Sequence, residues 1–475
     1  MSRGIVAYGV YLPYWRLVRA RIAEALDLPA TRGTRSVASY DEDATTMAVE
    51  AGLAALRAAS GGTAPAELVV ATTAPAYLDK TNAVTVHAAL GLDRGSPAFD
   101  MNGAVRSGSA ALRYAARAER PALAILSDCR NGLPGGAEER DGGDGAAAFL
   151  FAGGADVVAE QVAYAATTAE FLDRWRLPGE GASHLWEERF GESEYLPLAE
   201  EAITDALKQA GVTTTDVDHL VVTGSHARAV RAVQRGTGFR PAAVADDLTD
   251  AIGNAGAAHQ GIALAGVLDT AAPGALVAAV TLADGAEATV FRVTNAIVGY
   301  RKRQHSSDAV SAQIAAGRTD LSYCRFLTWR DQLRREPPRR PEPSPPSAPP
   351  AARNQSWKFR FAACRCGVCG TRLVPPGRVC IACGATDRMI EESLAGVPGA
   401  VATFTVDRLA FTPNPPMVVA VIDFEGGGRF RCELTDVDPE TVAIGDRVEM
   451  TFRKVSTTQG IHNYFWKARP ARGGV

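Results

Sequence analysis

The 475-residue chain has no uninterrupted apolar run near the ~20 residues a membrane-spanning helix needs. Its apolar stretches, such as Gly274 to Leu282, are short and suit buried strands. The N-terminus, MSRGIVAYGVYLPYW, lacks the basic-then-apolar layout of a signal peptide, so a cytoplasmic protein is expected. An excess of charge of one sign is also missing. The formal net charge is −3, which leaves no global field for nucleic acid or an anionic membrane. The local run Arg301, Lys302 and Arg303 reads as a solvated surface. Cysteine is scarce too: there are eight, and most crowd one short segment. That excludes a disulfide scaffold and favours metal binding under reducing conditions.

What the chain does have is material for large cores. It is 47% hydrophobic and 22% charged, and its length suits two or three domains. The sharpest boundary is EPPRRPEPSPPSAPPAARNQS, with eight prolines between Pro337 and Pro350. Proline fixes φ and removes a donor, so 336–354 is expected to run as an extended, stiff linker. Before it, short apolar runs recur: GIVAYGVYL, AELVVATT, ALAILSD, AAAFLFA, HLVVTGS and GALVAAVTLAD. Helix-like stretches, including Asp43 to Ala59 and Asp247 to Asp269, separate several of them. Strands alternating with helices imply an α/β domain over 1–335, with a sheet covered on both faces and a plausible internal duplication.

After the linker, Cys366-x2-Cys369 is followed by Cys380-x2-Cys383, with glycine after Cys366, Cys369 and Cys383. Each CxxCG turn can aim two thiolates at one ion, and four sulfurs close a tetrahedral zinc site with no position left for water. A structural Zn2+ is therefore expected in a ribbon over 355–388. Cys364 reads as a bystander thiol, with substitution for Cys366 as the alternative. Downstream, VATFTVDRLAF, MVVAVIDFEGG, RFRCELTDV and DRVEMTFRKV alternate as strands do, which fits a small OB-type β-barrel over 389–472. Phe404, Phe411 and Phe424 are explained as core rather than as a stacking platform for nucleic acid.

This tail resembles the zinc-ribbon plus OB-fold proteins that accompany thiolases, on CGVCG, VPPGRVCIACG, ATFTVDR and TDVDPETVAIGDRVEMTF. Residues 1–335 resemble 3-hydroxy-3-methylglutaryl-CoA synthase of the archaeal type, within the thiolase superfamily. The matching text is GIVAYGVYLPYWRL, YDEDATTMAVEAGLAAL, ERFGE, IGNAGAAHQGIALAGVLDTAAPGALVAAVTLADGAEA and LSYCRFLTWRDQLRREPPRRP. The resemblance implies a thiolase fold of duplicated αβαβα architecture acting on a coenzyme A thioester. It also implies a homodimer, or a heteromer with a thiolase-like protein.

The same resemblance places the family's three reactive columns here. The cysteine column falls on Val105, in DMNGAVRSGSAALRYAA, at the start of a helix. The glutamate column falls near Thr73 and the histidine column near Thr223, with His226 three residues on. Asn254 matches a polar position of the family's site. Ser107, Ser109, Cys129 and Cys324 are weak substitutes for a nucleophile, better read as packing residues. The glycines around Asp144 and Gly285 read as tight turns beside the site. His226 follows a buried strand and could serve as a base, with Asn254 and a backbone N–H near Val105 holding an enolate oxygen. His259 reads as a packed neighbour. Two functions stay open: aldol or retro-aldol chemistry on an acyl-CoA, or a non-catalytic acyl-CoA-binding scaffold of a thiolase complex. Hydroxymethylglutaryl-CoA synthesis conflicts with Val105.

Overall fold

All six apolar runs expected as strands are strands, and most of their residues are buried, as in Leu276–Leu282. The computed structural model describes residues 3–60, 62–339 and 344–472. Three further strands were hidden in the sequence by polar residues. We label the strands of the main sheet β1 (Arg3–Tyr11), β2 (Glu67–Thr72), β3 (Ala98–Asn102), β4 (Ala122–Cys129), β5 (Asp144–Gly153), β6 (Ala159–Thr168), β7 (His219–Gly224), β8 (Leu276–Leu282) and β9 (Gly285–Val293). The unexpected ones are β3, β6 and β9. β3 is only half-buried, β6 alternates between buried and open positions, and β9 carries Glu287 and Arg292.

The sheet order is β7-β8-β9-β6-β1-β5-β4-β2-β3. Outward from β1, the pairings run antiparallel to β5, antiparallel to β4, then parallel to β2 and β3. Outward from β6 they run antiparallel to β9, antiparallel to β8, then parallel to β7. A parallel bridge from Leu220 to Val244 stands where the fifth strand of the second half would lie. The two halves meet where β1 pairs β6 at Gly4 and Ile5.

The helices complete the duplication. Ala44–Ala58 (α1) covers the first half and Glu188–Ala210 (α3) the second. Between them, Arg106–Arg117 (α2) and His259–Leu268 each touch strands of both halves. This is the αβαβα arrangement expected of a thiolase fold. α1 starts on a capping box in which the Asp43 carboxylate accepts from the Thr46 N–H at 2.9 Å and the Asp43 N–H donates to the Thr46 hydroxyl.

The stretch Asp247–Asp269 is not one helix. Gly253 (φ 74°) and Gly256 (φ 53°) break it, leaving a turn at Thr249–Ile252 and a longer helix from His259. A left-handed φ of this kind is cheap only for glycine, so the chain bends there and sets Asn254 in the bend.

The chain forms two compact units that differ from the division expected at 335. One comprises residues 1–38, 43–84 and 93–326, and the other 39–42, 85–92 and 327–475. Part of the expected linker, 340–343, lies outside the described residues. The rest is not wholly extended, because Ala348–Arg353 is a short helix, and a second one, Gln355–Arg360, opens the segment that follows the linker. Proline is tolerated in a first helical turn, where no N–H partner is required, and Pro349 and Pro350 use that allowance.

In the second unit, Ala362–Cys366 (β10), Arg372–Leu373 (β11) and Met389–Ser393 (β12) form a three-stranded sheet. A closed barrel follows, built from Gly399–Asp407 (β13), Met417–Phe424 (β14), Arg429–Leu434 (β15), Arg447–Thr458 (β16) and Ile461–Pro470 (β17). Phe424 is core as expected, whereas Phe411 is exposed. No described helix is long and apolar enough to cross a membrane.

Candidate functional site

Strand β7 ends at Gly224, and the next helix, Ala227–Gly236 (α4), begins with His226 as its cap. His226 Nδ1 accepts the Ala229 N–H at 3.1 Å, satisfying one of the helix's orphan donors. A neutral imidazole that accepts at Nδ1 carries its proton on Nε2. The ring is therefore set as a donor, where the sequence suggested a base. Gly191 leaves room for it, since a Cβ there would come within 2.7 Å of His226 Nε2.

Asn254 sits beside this strand end. Its Nδ2 donates to the Gly224 carbonyl at 2.7 Å, and its Oδ1 accepts from the Gly256 N–H at 2.9 Å. Its backbone bridges to the first half: Asn254 N–H donates to the Asp141 carbonyl, and Gly143 N–H donates to the Asn254 carbonyl. One amide hydrogen of Asn254 is left for another partner.

A cavity of about 590 Å³ lies within the first unit, lined in part by Thr223, His226, Asn254 and His259. One wall is a short hairpin pairing Arg174–Trp175 with His184–Leu185, where the Trp175 and His184 rings stack at 5.3 Å. Leu185 and Trp186 line the cavity from this hairpin, and Arg228 and Arg231 line it from α4. Asp173 also faces it and accepts the Tyr195 hydroxyl at 3.1 Å.

Behind the cavity, Arg130 joins Thr73 to a buried ionic network. Arg130 Nη1 donates to the Thr73 hydroxyl at 2.7 Å and Nη2 pairs with Glu138 at 2.5 Å. Arg174 also pairs with Glu138. Burial alone would raise the Glu138 carboxyl, but Arg130 and Arg174 override it and hold it at about 2. Asp128 accepts from the Thr73 hydroxyl and from the Ala257 N–H, tying β2 and β4 to the bend that carries Asn254.

The residues singled out from the sequence therefore divide. Thr223, His226 and Asn254 share the cavity. Thr73 and Val105 do not line it, although Thr73 reaches it through Arg130. Val105 is the N-cap of α2, as expected, and offers no side-chain cap. Next to it, Arg106 donates to the Asp284 carbonyl at 2.5 Å and pairs with Glu287 at 2.8 Å, fastening the turn at Gly285 to the start of α2. Ser109 donates within its own helix, to the Arg106 carbonyl. Asp144 is wholly buried and accepts from the Ala38 and Arg130 N–H groups, which makes it a structural pin. Cys129 is half-buried at the end of β4, and Cys324 is exposed instead of packed. Arg130, Glu138, Asp173 and Arg174 carry no local sequence signal, because their roles depend on pairing between separate elements.

In the second unit, Cys366, Cys369, Cys380 and Cys383 bring their sulfurs within 4.8 Å of one another. Cys366 and Cys383 are 3.7 Å apart, and Cys369 and Cys380 are 3.5 Å apart. A tetrahedral zinc with bonds near 2.3 Å separates its sulfurs by roughly 3.8 Å, so the four thiols fit such an ion. Cys364 lies outside this group; its sulfur accepts from the Gly377 N–H at 3.3 Å.

Comparison with known proteins agrees with this architecture. Residues 207–293 match the model of the 3-oxoacyl-[acyl-carrier-protein] synthase III C terminal, and residues 391–453 match that of the ChsH2 C-terminal OB-fold domain. The fold is shared with 3-oxoacyl-(acyl carrier protein) synthase III of Pseudomonas aeruginosa, at TM-score 0.55 and 21% identity over 62% of this chain and 98% of that one. It is also shared with an HMG-CoA synthase crystallised with CoA, at TM-score 0.57 and 19% identity over 69% of this chain and 90% of that one. The first unit is thus a thiolase-superfamily domain, joined to an OB-fold. Hydroxymethylglutaryl-CoA synthase of Caldivirga maquilingensis is 31% identical over 316 residues, 62% of this chain and 88% of that protein. The chain belongs to the hydroxymethylglutaryl-CoA synthase family.

Proposed function

We propose that this protein acts on coenzyme A thioesters, making or breaking a carbon–carbon bond beside the thioester carbonyl without a cysteine nucleophile. The observation that carries this reading is the cavity that gathers Thr223, His226 and Asn254 while α2 opens on Val105. The relatives supply the ligand class, since one is named as complexed with CoA. Arg228 and Arg231, exposed on α4 where they line the cavity, suit the phosphates of that ligand.

In the cleavage direction, Asp173 takes the hydroxyl proton of a β-hydroxyacyl thioester. The Cα–Cβ bond breaks, the β-carbon becomes a carbonyl, and the electron pair becomes an enolate. The Nε2–H of His226 and the remaining amide hydrogen of Asn254 hold that enolate oxygen, because donors aimed at developing charge are where catalysis gains most. Zinc bound by the four thiolates would be structural. The ribbon (355–388) and barrel (389–472) form a module that helps present the acyl chain, and the protein works as a homodimer or with a thiolase-like partner.

Incubation with a panel of β-hydroxyacyl-CoAs tests this reading. Cleavage that falls about a hundredfold in His226→Ala supports it, the loss expected for one such donor. A second reading is a non-catalytic acyl-CoA-binding scaffold, favoured by Val105, Thr73 and Thr223 carrying no group that titrates near neutrality. Thioester binding without turnover, together with co-purification of a thiolase, would establish it instead. Formation of hydroxymethylglutaryl-CoA in the same panel would show that synthesis proceeds without a nucleophile at Val105. Transient acylation of Cys129 would overturn both readings.

A further inference from the structure

Trp186 is 58% exposed, although an indole gains more from burial than almost any other side chain. It stands on the hairpin that pairs Arg174–Trp175 with His184–Leu185, and none of residues 171–187 is buried. The hairpin is held instead by polar contacts, Arg174 to Glu138 and Arg176 to the Thr73 carbonyl. Packing therefore does not account for an indole at this position. Its ring is nonetheless set in place, since Trp175 lies 5.7 Å from it and itself stacks on His184 at 5.3 Å. Continuing the hairpin register by one pair puts Trp186 opposite Asp173, and the Trp186 N–H donates to the Asp173 carbonyl at 2.8 Å. Side chains paired in this way share a face, with their Cβ atoms about 5 Å apart. Both residues line the cavity that holds His226 and Asn254. The Asp173 carboxylate is fixed by the Tyr195 hydroxyl at 3.1 Å, and the Tyr195 ring lies 5.9 Å from that of His226.

We propose that Trp186 determines which acyl group the site takes, by forming the apolar surface on which the β-substituent of the thioester lies. The inference rests on the acyl-CoA reading above and adds a substrate class to it: acyl chains that carry an apolar, ring-sized group on the β-carbon. The pairing of Asp173 with Trp186 carries it. A hydroxyl presented to the Asp173 carboxylate sits on the β-carbon, so another group on that carbon falls within a side chain's length of the indole. A flat apolar group there takes exposed indole surface out of water and stacks on it. An unsubstituted β-carbon leaves the ring wet and gains little.

Binding of 3-phenylpropionyl-CoA, propionyl-CoA and CoA to the full chain, measured by calorimetry, tests the assignment. The two thioesters differ only by a phenyl group on the β-carbon, and neither has a β-hydroxyl, so binding is read without cleavage. The wild type should hold 3-phenylpropionyl-CoA about tenfold more tightly than propionyl-CoA, the scale of one ring contact and the area it buries. Trp186→Ala should remove that preference while leaving propionyl-CoA and CoA within about twofold, which also guards against a folding defect. Trp186→Phe, which keeps a ring, should restore most of the preference. Equal weakening of all three ligands would place the indole on the coenzyme and overturn the assignment. A wild type without preference, or a preference that survives the alanine, would overturn it too. If neither thioester binds the wild type, the acyl-CoA reading itself fails and takes the role of Trp186 with it.

Discussion

Both units bury networks of opposite charge, and they use them differently. In the first unit, Arg130, Arg174, Glu138 and Asp128 stand behind an open cavity, and several members line it. In the second, Arg453 pairs with Asp436 at 2.6 Å and with Glu42, while Lys467 pairs with Asp41 at 3.0 Å and with Glu433. Arg453 and Asp41 are fully buried. Desolvation opposes the charge of Asp41, but Lys467 and Arg453 override it and hold its carboxyl at about 2. A charge network beside a cavity can exchange partners with a ligand. A sealed one can only hold its neighbours in register, and here it fastens residues 39–42 to the barrel strands.

The largest test of that contrast is metal removal. Cys380→Ser, or a chelator applied to the zinc-loaded protein, should abolish protection of 362–393 in hydrogen exchange while 1–326 stays protected, because a structural zinc supplies folding free energy outright. Exchange unchanged by chelation would mean that the sheet of β10, β11 and β12 stands without metal. The next largest effect is expected at Arg453. Arg453→Met strands Asp41, Glu42 and Asp436 in a closed interior, and breaking a buried pair in this way costs about 3–5 kcal/mol. Urea unfolding followed by the tryptophans of the second unit would read it. A loss under ~1 kcal/mol would show that water reaches the cluster.

Much of this was legible beforehand, and the limits have physical causes. The four clustered cysteines, the strands of fully apolar residues and α1 announce themselves through local spacing. Strand β17 did not, because Lys467 and Arg469 are buried and break the expected alternation. Their partners Asp41 and Glu449 lie far away or on a facing strand. The site was half legible. His226 and Asn254 follow from their places at a strand end and a glycine bend, but the tautomer that makes His226 a donor depends on Ala229 in a cap. Glu138 shows no motif at all, since its importance comes from two arginines folded against it.

Glu138 gives the third test, through acid. Its carboxyl is held well below the ordinary 4.5, so the network's contribution is fully present above that value and lost as pH falls toward 2. The shift corresponds to stability on the order of 3 kcal/mol, from the ~1.4 kcal/mol carried by each pH unit. Glu138→Gln should therefore lower the stability of the first unit at pH 7 and flatten its loss between pH 4.5 and 2. A wild-type profile equally flat across that window would mean that solvent already screens the pairs from the cavity side.

The smallest expected effect falls where the ribbon meets the barrel inside the second unit. Arg372 Nη1 donates to the carbonyls of Glu425 and Gly427, both at 2.7 Å, and its Nε pairs with Glu392 at 2.6 Å. The accepting turn between β14 and β15 is Glu425 followed by three glycines with positive φ, and the Glu425 carboxylate is itself engaged by Arg447, so no side chain of the turn replaces the arginine's grip. Arg372→Lys keeps one charge but loses the fork that reaches two carbonyls together. It should cost about 1 kcal/mol and speed amide exchange at Gly426 to Gly428, with the metal still bound. Exchange that stays slow would show that the turn's own bonds, such as the Gly427 N–H to the Phe424 carbonyl, already hold it. In that case the sealed cluster at Arg453, and not this arginine, would set the rigidity of the second unit.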